Sequence, residues 1–308
     1  MGEKDIAEKM LAEYNDVFAD IVNGLLFKGR QVVKPQELES AQPIAQYKAD
    51  DGVLHEEERD LSKYWIKDTK IRISLYGIEH QSQVDSKMPF RVIGYDGAAY
   101  RTQLLAKREK KEDQKEAERE AQKIVPVVTL VLYFGTDQNW TSPKNLKDLL
   151  EIPEELEPYV SDYKINVFEI ADLTDEEINR FHSDFRILAR FFARKKHDPE
   201  HAMDNREEIQ HVDEVLKLLS VLTGDSRYIR IPAQERKGIK DMCDVADRIE
   251  KKGIAKGRAE GRAEGREEGE EKMSKLVSVL LEKQDYAAIQ KVTEDPEIRK
   301  EYFSRYGI

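Results

Sequence analysis

Apolar and polar residues alternate along Ile71 to Gln83, IRISLYGIEHQSQ, with Ile71, Ile73, Leu75 and Gly77 on one side of an extended chain and Arg72, Ser74 and Tyr76 on the other. This period of two predicts a half-buried strand whose buried side runs on into Glu79 and Gln81. The preceding LSKYWIKD predicts the other arm of a β-hairpin, with the turn around Lys67 to Lys70. A turn centred near Thr69 sets Asp60 roughly opposite Glu79, and a slip of one or two positions leaves them neighbours. Two carboxylates and an amide then meet at one end of a sheet. Such groups cost several kcal/mol if buried without partners, on the order of 2–7 for an amide, so the pattern points to a bound ligand.

Other spacings frame this hairpin. Ile6 to Val22 predicts an amphipathic helix with Ile6, Met10, Tyr14, Val17, Phe18 and Ile21 on one side. Residues 23–59 are polar and irregular, with Pro35, Pro43 and a weak strand near Ile44 to Tyr47. Met88-Pro89 opens a helix that runs through Tyr100 into the charged stretch Lys107 to Lys123, whose mixed signs read as a solvated face rather than a DNA-contacting arm. Ile124 to Phe134 is β-branched and nearly free of polar residues, which predicts a central strand buried on both faces. A short helix over Asn145 to Leu150 and a strand over Tyr163 to Ile170 follow. Beyond that, Thr174 to Glu177 forms a capping box, T-x-x-E, opening a helix that carries Ile178, Phe181, Phe185, Leu188 and Phe192; further helices fit Glu207 to Leu222 and Gln234 to Lys252. The expected organisation is therefore an α/β domain over 1–173, a helical lobe over 174–252, and a tail over 253–308.

The tail begins with glycine every fourth residue, Gly253, Gly257, Gly261, Gly265 and Gly269. On a helix each repeat advances about 400°, so Gly, Arg, Ala and Glu form separate, slowly drifting stripes. Each interior glycine costs roughly 1 kcal/mol relative to alanine. Two readings follow: a flexible linker, or a helix whose smooth surface packs against a second copy and makes a homo-oligomer. The second is the stronger expectation. Met273 to Ile308 reads as two or three short helices broken at Pro296.

Composition narrows the chemistry. The 308 residues are 37% charged, with 51 basic and 62 acidic side chains, for a net charge of −11. That balance disfavours non-specific binding to nucleic acid, so any nucleic-acid site must rely on a metal and a local basic surface. The single Cys243 excludes an internal disulfide and suits a reducing cytoplasm. No apolar run approaches the ~20 residues that span a bilayer, which predicts a cytoplasmic protein without membrane contact. The six histidines lack metal-ligand spacing. No phosphate-cradling loop, dinucleotide fingerprint or strand-turn-helix serine elbow occurs, which argues against kinase, NTPase, dehydrogenase and acyl-hydrolase classes.

Asp60, then Glu79-His80-Gln81, with Asn15-Asp16-x-Phe18 upstream and Met88-Pro89-Phe90-Arg91-x-x-x-Tyr95 downstream, resemble the PD-(D/E)xK nuclease superfamily, and more narrowly the Rpn family of bacterial recombination-promoting, transposase-like nucleases. The resemblance spans about Asp5 to Asp172 and implies a restriction-endonuclease-like core, a mixed central sheet flanked by helices, followed by an α-helical C-terminal region. It further implies that Asp60, Glu79 and the His80 carbonyl hold Mg²⁺, or Mn²⁺ or Ca²⁺, and that Gln81 stands where most of the superfamily has lysine. Glutamine offers hydrogen bonds but no charge. Asp16 would support the metal site, with a solvated helix carboxylate as the alternative. Arg91 would reach the scissile phosphate beside Tyr95, or else pack its stem against that ring. The His80 side chain alternates to the opposite face and reads as a surface histidine. The function implied is metal-dependent DNA cleavage linked to recombination or mobile elements; the alternative is a non-catalytic descendant that assembles through its helical region and glycine repeat.

Overall fold

The computed structural model describes residues 11–41, 47–48, 54–55, 61–67, 70–78, 86–109 and 124–308. The chain divides into two compact units, Met1–Ala246 and Asp247–Ile308.

The first unit is built on a mixed five-stranded sheet. Its strands are β1 (Leu38–Ser40), β4 (Leu61–Ile66), β5 (Lys70–Ile78), β6 (Val127–Tyr133) and β7 (Asn166–Glu169), adjacent in that order. β2 (Tyr47–Lys48) and β3 (Leu54–His55) form a separate antiparallel pair. The β1, β4 and β5 neighbours run antiparallel, whereas β5, β6 and β7 run parallel. A parallel step needs a crossover, and α2 (Met88–Glu109) lies in the connection between β5 and β6. The fold class expected from the pattern, an α/β core followed by helices, is present at that level.

Two details of the hairpin differ from expectation. Leu61 lies opposite Leu75 and Ile66 opposite Lys70, so the ladder centres on position 68, whereas a centre at Thr69 would have set Leu61 against Gly77. The turn carries no Asn-Gly or similar signal that would fix its length from sequence. Nor is the alternation of β5 half-buried: Arg72, Ile73 and Ser74 are all buried. β5 is paired along both edges, and side chains pack on both of its faces. On one face Met88 and Val92 of α2 pack with Val131, Tyr133, Trp140 and Ile165. On the other, Lys63, paired with Ile73, places its ammonium 5.5 Å from the centre of the Phe18 ring.

The helices begin and end where distant partners decide. Of the helix expected over 6–22, residues 6–10 lie outside the described residues and 11–12 are helical; the chain breaks at the extended Tyr14, and α1 spans Asn15–Leu26, its Asn15 side chain donating to the carbonyls of Pro35 and Leu38 (3.0 and 3.1 Å). The Thr174 capping box forms as expected, but its helix, α3, covers only Asp175–Ile178, and a new helix, α4, starts at Phe185 and ends at His197. The interruption has a cause: Asp20 Oδ2 of α1 accepts from the backbone N–H of His182 (2.8 Å), that of Ser183 (2.7 Å) and the Ser183 hydroxyl (2.7 Å). The helix expected over 207–222 is α5, Val212–Thr223, closed by Gly224 in the left-handed region. Residues 145–150 hold a 3-10 turn, Lys147–Leu149, rather than an α-helix. The helix expected over 234–252 is instead short α6 (Ala233–Arg236) and the start of α7 (Met242–Glu282).

α7 carries the whole glycine repeat as a 41-residue helix. In the second unit Leu276 and Leu280 of α7 are buried with Ala288 and Val292 of α8 (Tyr286–Glu294), and Ile298, Tyr302 and Phe303 of α9 (Pro296–Tyr306) pack against them. Asp295 caps α9 by accepting from Glu297 and Ile298, and Pro296 occupies the first turn, where its missing N–H costs little. No helix among the described residues is long and apolar enough to cross a membrane.

Candidate functional site

The start of α1 is pinned to β4 by Lys63. Its position in β4 follows the apolar alternation of Leu61 and Trp65, a signal of a buried lysine in the sequence. The side chain is only 2% exposed, and its ammonium donates to the Glu13 carbonyl (2.5 Å) and to Asn15 Oδ1. Burial holds its pKa below the usual lysine value, partly offset by the charges of Glu13 and Asp16. Asn15 therefore uses its amide nitrogen on the chain entering β1 and its oxygen on Lys63. Asp16, the next residue, is exposed in the first turn of α1.

A second polar group lies between α2 and the sheet. Asp96, buried in α2, accepts from the Thr129 hydroxyl of β6 (2.6 Å) and from the Tyr163 hydroxyl. Burial and the Asp96 carboxylate together push the Tyr163 hydroxyl well above its ordinary pKa, so it stays a donor. Ser62 of β4 and Ser74 of β5 bring their hydroxyl oxygens within 2.7 Å on the same face. These contacts orient the α2 crossover that follows β5. Arg91 and Tyr95, one turn apart, are joined by a hydrogen bond from the Arg91 guanidinium to the Tyr95 hydroxyl at 3.2 Å. Arg91 is exposed and Tyr95 partly buried, so the expected shared face exists.

At the C-terminal ends of the parallel strands, where open α/β sheets place their ligands, Glu169 of β7 accepts from the Trp140 backbone N–H (2.8 Å) and pairs with Lys144 (3.4 Å). The Tyr133 hydroxyl donates to the Gln138 carbonyl (2.9 Å), and Lys196 of α4 pairs with Asp172 (2.7 Å). These bonds fix the loop after β6.

Asp60, Glu79, His80 and Gln81 lie outside the described residues. Asp60 directly precedes β4, and Glu79 directly follows β5. Among the described residues no three His, Cys, Asp or Glu side chains could hold a metal ion. Sequence reasoning did not single out Lys63, Asp96 or the pair Asp184–His211, although Asp96 carries a signal: it interrupts the apolar stripe of Val92 and Ala99.

Residues 74–222 match the model of a family described as putative transposase, YhgA-like. The matched segment begins inside β5, runs through Glu79-His80-Gln81, Arg91 and Tyr95, and ends in α5; Asp16, Asp60 and Lys63 fall before it. It covers just under half of the chain and agrees with the transposase-like resemblance. No curated protein and no solved structure matches the chain.

Proposed function

We propose that the protein is a metal-dependent DNA endonuclease that acts in recombination or on mobile elements. The observation that carries this reading is the transposase-like match, which starts inside β5 and passes directly through Glu79-His80-Gln81. β5 is the strand at which antiparallel pairing gives way to parallel pairing, and in the sequence Asp60 directly precedes β4 and Glu79 directly follows β5.

The donor set suits a hard divalent cation: the carboxylates of Asp60 and Glu79 and the His80 carbonyl are all oxygen ligands. Such an ion, when bound, neutralises charge on the phosphate and lowers the pKa of a bound water. Gln81 orients the attacking water through its amide. Arg91, steered by the Tyr95 hydroxyl, presents a planar guanidinium to the phosphate oxygens. Asp16 supports the site from the start of α1.

The test is cleavage of supercoiled plasmid and of single-stranded DNA by the full chain with Mg²⁺, Mn²⁺ or Ca²⁺. Wild type is expected to cleave only with a divalent cation, and Asp60→Ala and Glu79→Ala to lose at least ~100-fold. Equal behaviour of all three proteins, with no cleavage in any metal, rejects the enzyme. A second reading, a non-catalytic assembly module, is favoured by one feature: the long α7 helix with its exposed glycines.

A further inference from the structure

Exposed apolar side chains gather on the connection between β6 and β7. Residues 148–162 of that connection present Leu150, Leu156 and Tyr159 at 37%, 52% and 83% exposure. The same fifteen residues hold six acids, Asp148, Glu151, Glu154, Glu155, Glu157 and Asp162, and no basic residue. Large apolar groups rimmed by charge mark interaction sites on protein surfaces. A flexible loop folds such groups away, but this one is fixed. Its base is closed by backbone hydrogen bonds from Leu146 to the Tyr163 carbonyl (3.0 Å) and from Ile165 to the Lys144 carbonyl (2.9 Å). Lys147 clamps the two limbs: its backbone N–H donates to Asp162 (3.0 Å), and its ammonium donates to the Glu157 carbonyl (3.0 Å) and carboxylate (2.6 Å). Pro153 precedes the 3-10 turn Glu154–Tyr159 and Pro158 lies inside it, each with φ set by its ring.

Six acids turn nucleic acid away, so the occupant is a protein surface of opposite charge with an apolar centre. This chain carries one. Residues 226–240 hold five basic residues against the single acid Glu235, and Ile229 among them is 43% exposed. That segment is also held in one conformation. Tyr228 is buried, with its ring edge-on to Phe191 of α4 and 6.5 Å between centres. Arg236 donates to the carbonyls of Ile231 (2.7 Å) and Ile229 (2.5 Å) and pairs with Asp213 (3.0 Å). Ile229, Arg230, Lys237 and Lys240 are exposed.

We propose that residues 148–162 of one copy of this chain dock on residues 226–240 of a second copy, with Leu156 and Tyr159 against Ile229 and the acids among Arg230, Lys237 and Lys240. The contact depends neither on the endonuclease reading nor on the glycine repeat. Because unlike surfaces meet, it either closes reciprocally around a two-fold axis or continues head to tail. Fifteen residues a side fall short of the roughly 20–30 used by a stable interface of standard size, so the association is weak and concentration-dependent. Two chains of net charge −11 repel at long range. That repulsion is screened beyond ~8 Å at physiological salt, which leaves the local complementarity to decide.

Charge reversal on each surface separates this docking from any other association. The full chain is examined by sedimentation velocity from ~5 to ~200 μM in ~0.15 M salt, a range suited to a weak contact. The wild-type sedimentation coefficient is expected to rise with concentration. Glu154→Lys with Glu155→Lys, and separately Arg230→Glu with Lys237→Glu, are each expected to weaken association at least ~10-fold, because like charges then face each other. Mixing the two double variants is expected to restore it, since each reversed surface then meets a reversed complement and each native surface a native one. Tyr159→Ala changes no charge and removes an exposed ring, so it tests docking even where a reversed pair impairs folding; a loss of about 10-fold is expected. Circular dichroism melts report the folding of every variant. A wild type that stays monomeric throughout overturns the proposal and leaves residues 148–162 to a basic partner other than this chain. Association that survives both double variants, or Tyr159→Ala, also overturns it and assigns self-association to another surface such as the glycine repeat of α7. Loss in each double variant without recovery in the mixture overturns it as well, because the two surfaces are then not partners.

Discussion

Single polar residues in this protein hold distant loops in place. Asp20 is the clearest case: one carboxylate oxygen in the middle of α1 gathers two backbone N–H groups and a hydroxyl from residues 182 and 183. Hydrogen bonds to a charged acceptor contribute more than neutral ones, and removing a shared acceptor orphans every donor at once. Asp20→Ala is expected to lower unfolding stability by about 3 kcal/mol, read from urea denaturation of the full chain; a change below ~1 kcal/mol would mean that water replaces the carboxylate at little cost. Asn15 acts similarly on a smaller scale, tying the chain entering β1 to the lysine of β4.

At the scale of elements, local pattern was legible wherever local forces decide. The hairpin arms, the buried β6 and the helix opening at Met88-Pro89 follow from periodicity and proline placement. The Thr174 cap follows from T-x-x-E. Breaks imposed from elsewhere were not legible: the apolar spacing of Ile178, Phe181, Phe185 and Phe192 describes one helix, yet Asp20 draws residues 182 and 183 out of it. In the candidate site, Arg91 and Tyr95 could be paired from their spacing of four, since neighbours on a helix meet. The Asp184 carboxylate lies 3.0 Å from His211 Nδ1, yet the two residues are 27 positions apart, and nothing in the intervening sequence brings them together. The glycine helix offers a direct test of its two readings. A Cβ added at Gly257, Gly261 or Gly265 meets no atom within 4 Å, so alanine at all three should raise helix content and stability by roughly 3 kcal/mol in sum. Circular dichroism checks that gain. Sedimentation of the same variant distinguishes the readings, because a stripe seated closely on a second copy loses association when methyl groups are added, and a solvated helix does not.

For the whole molecule, the Asp20 contact has a consequence for how the chain is made. The carboxylate of residue 20 and its partner at residue 183 are 163 positions apart. Val17, Phe18, Ile21 and Val22, all buried in the finished protein, are synthesised long before that partner exists. At roughly 5–20 residues per second, about 8–30 s separate the two. Over that interval α1 lacks its contacts with residues 182 and 183, and its apolar face is expected to stay open to the ribosome exit and to chaperones. Limited proteolysis of ribosome-arrested chains should find the segment from Asn15 to Leu26 cleavable until residue 183 has cleared the exit tunnel, and protected afterwards. Protection appearing as soon as β5 has emerged would show that the hairpin alone shelters the helix. Helix α1 is translated well before the residues that close it in place, so the speed of synthesis and the supply of chaperones bear on how much of this protein reaches its folded form.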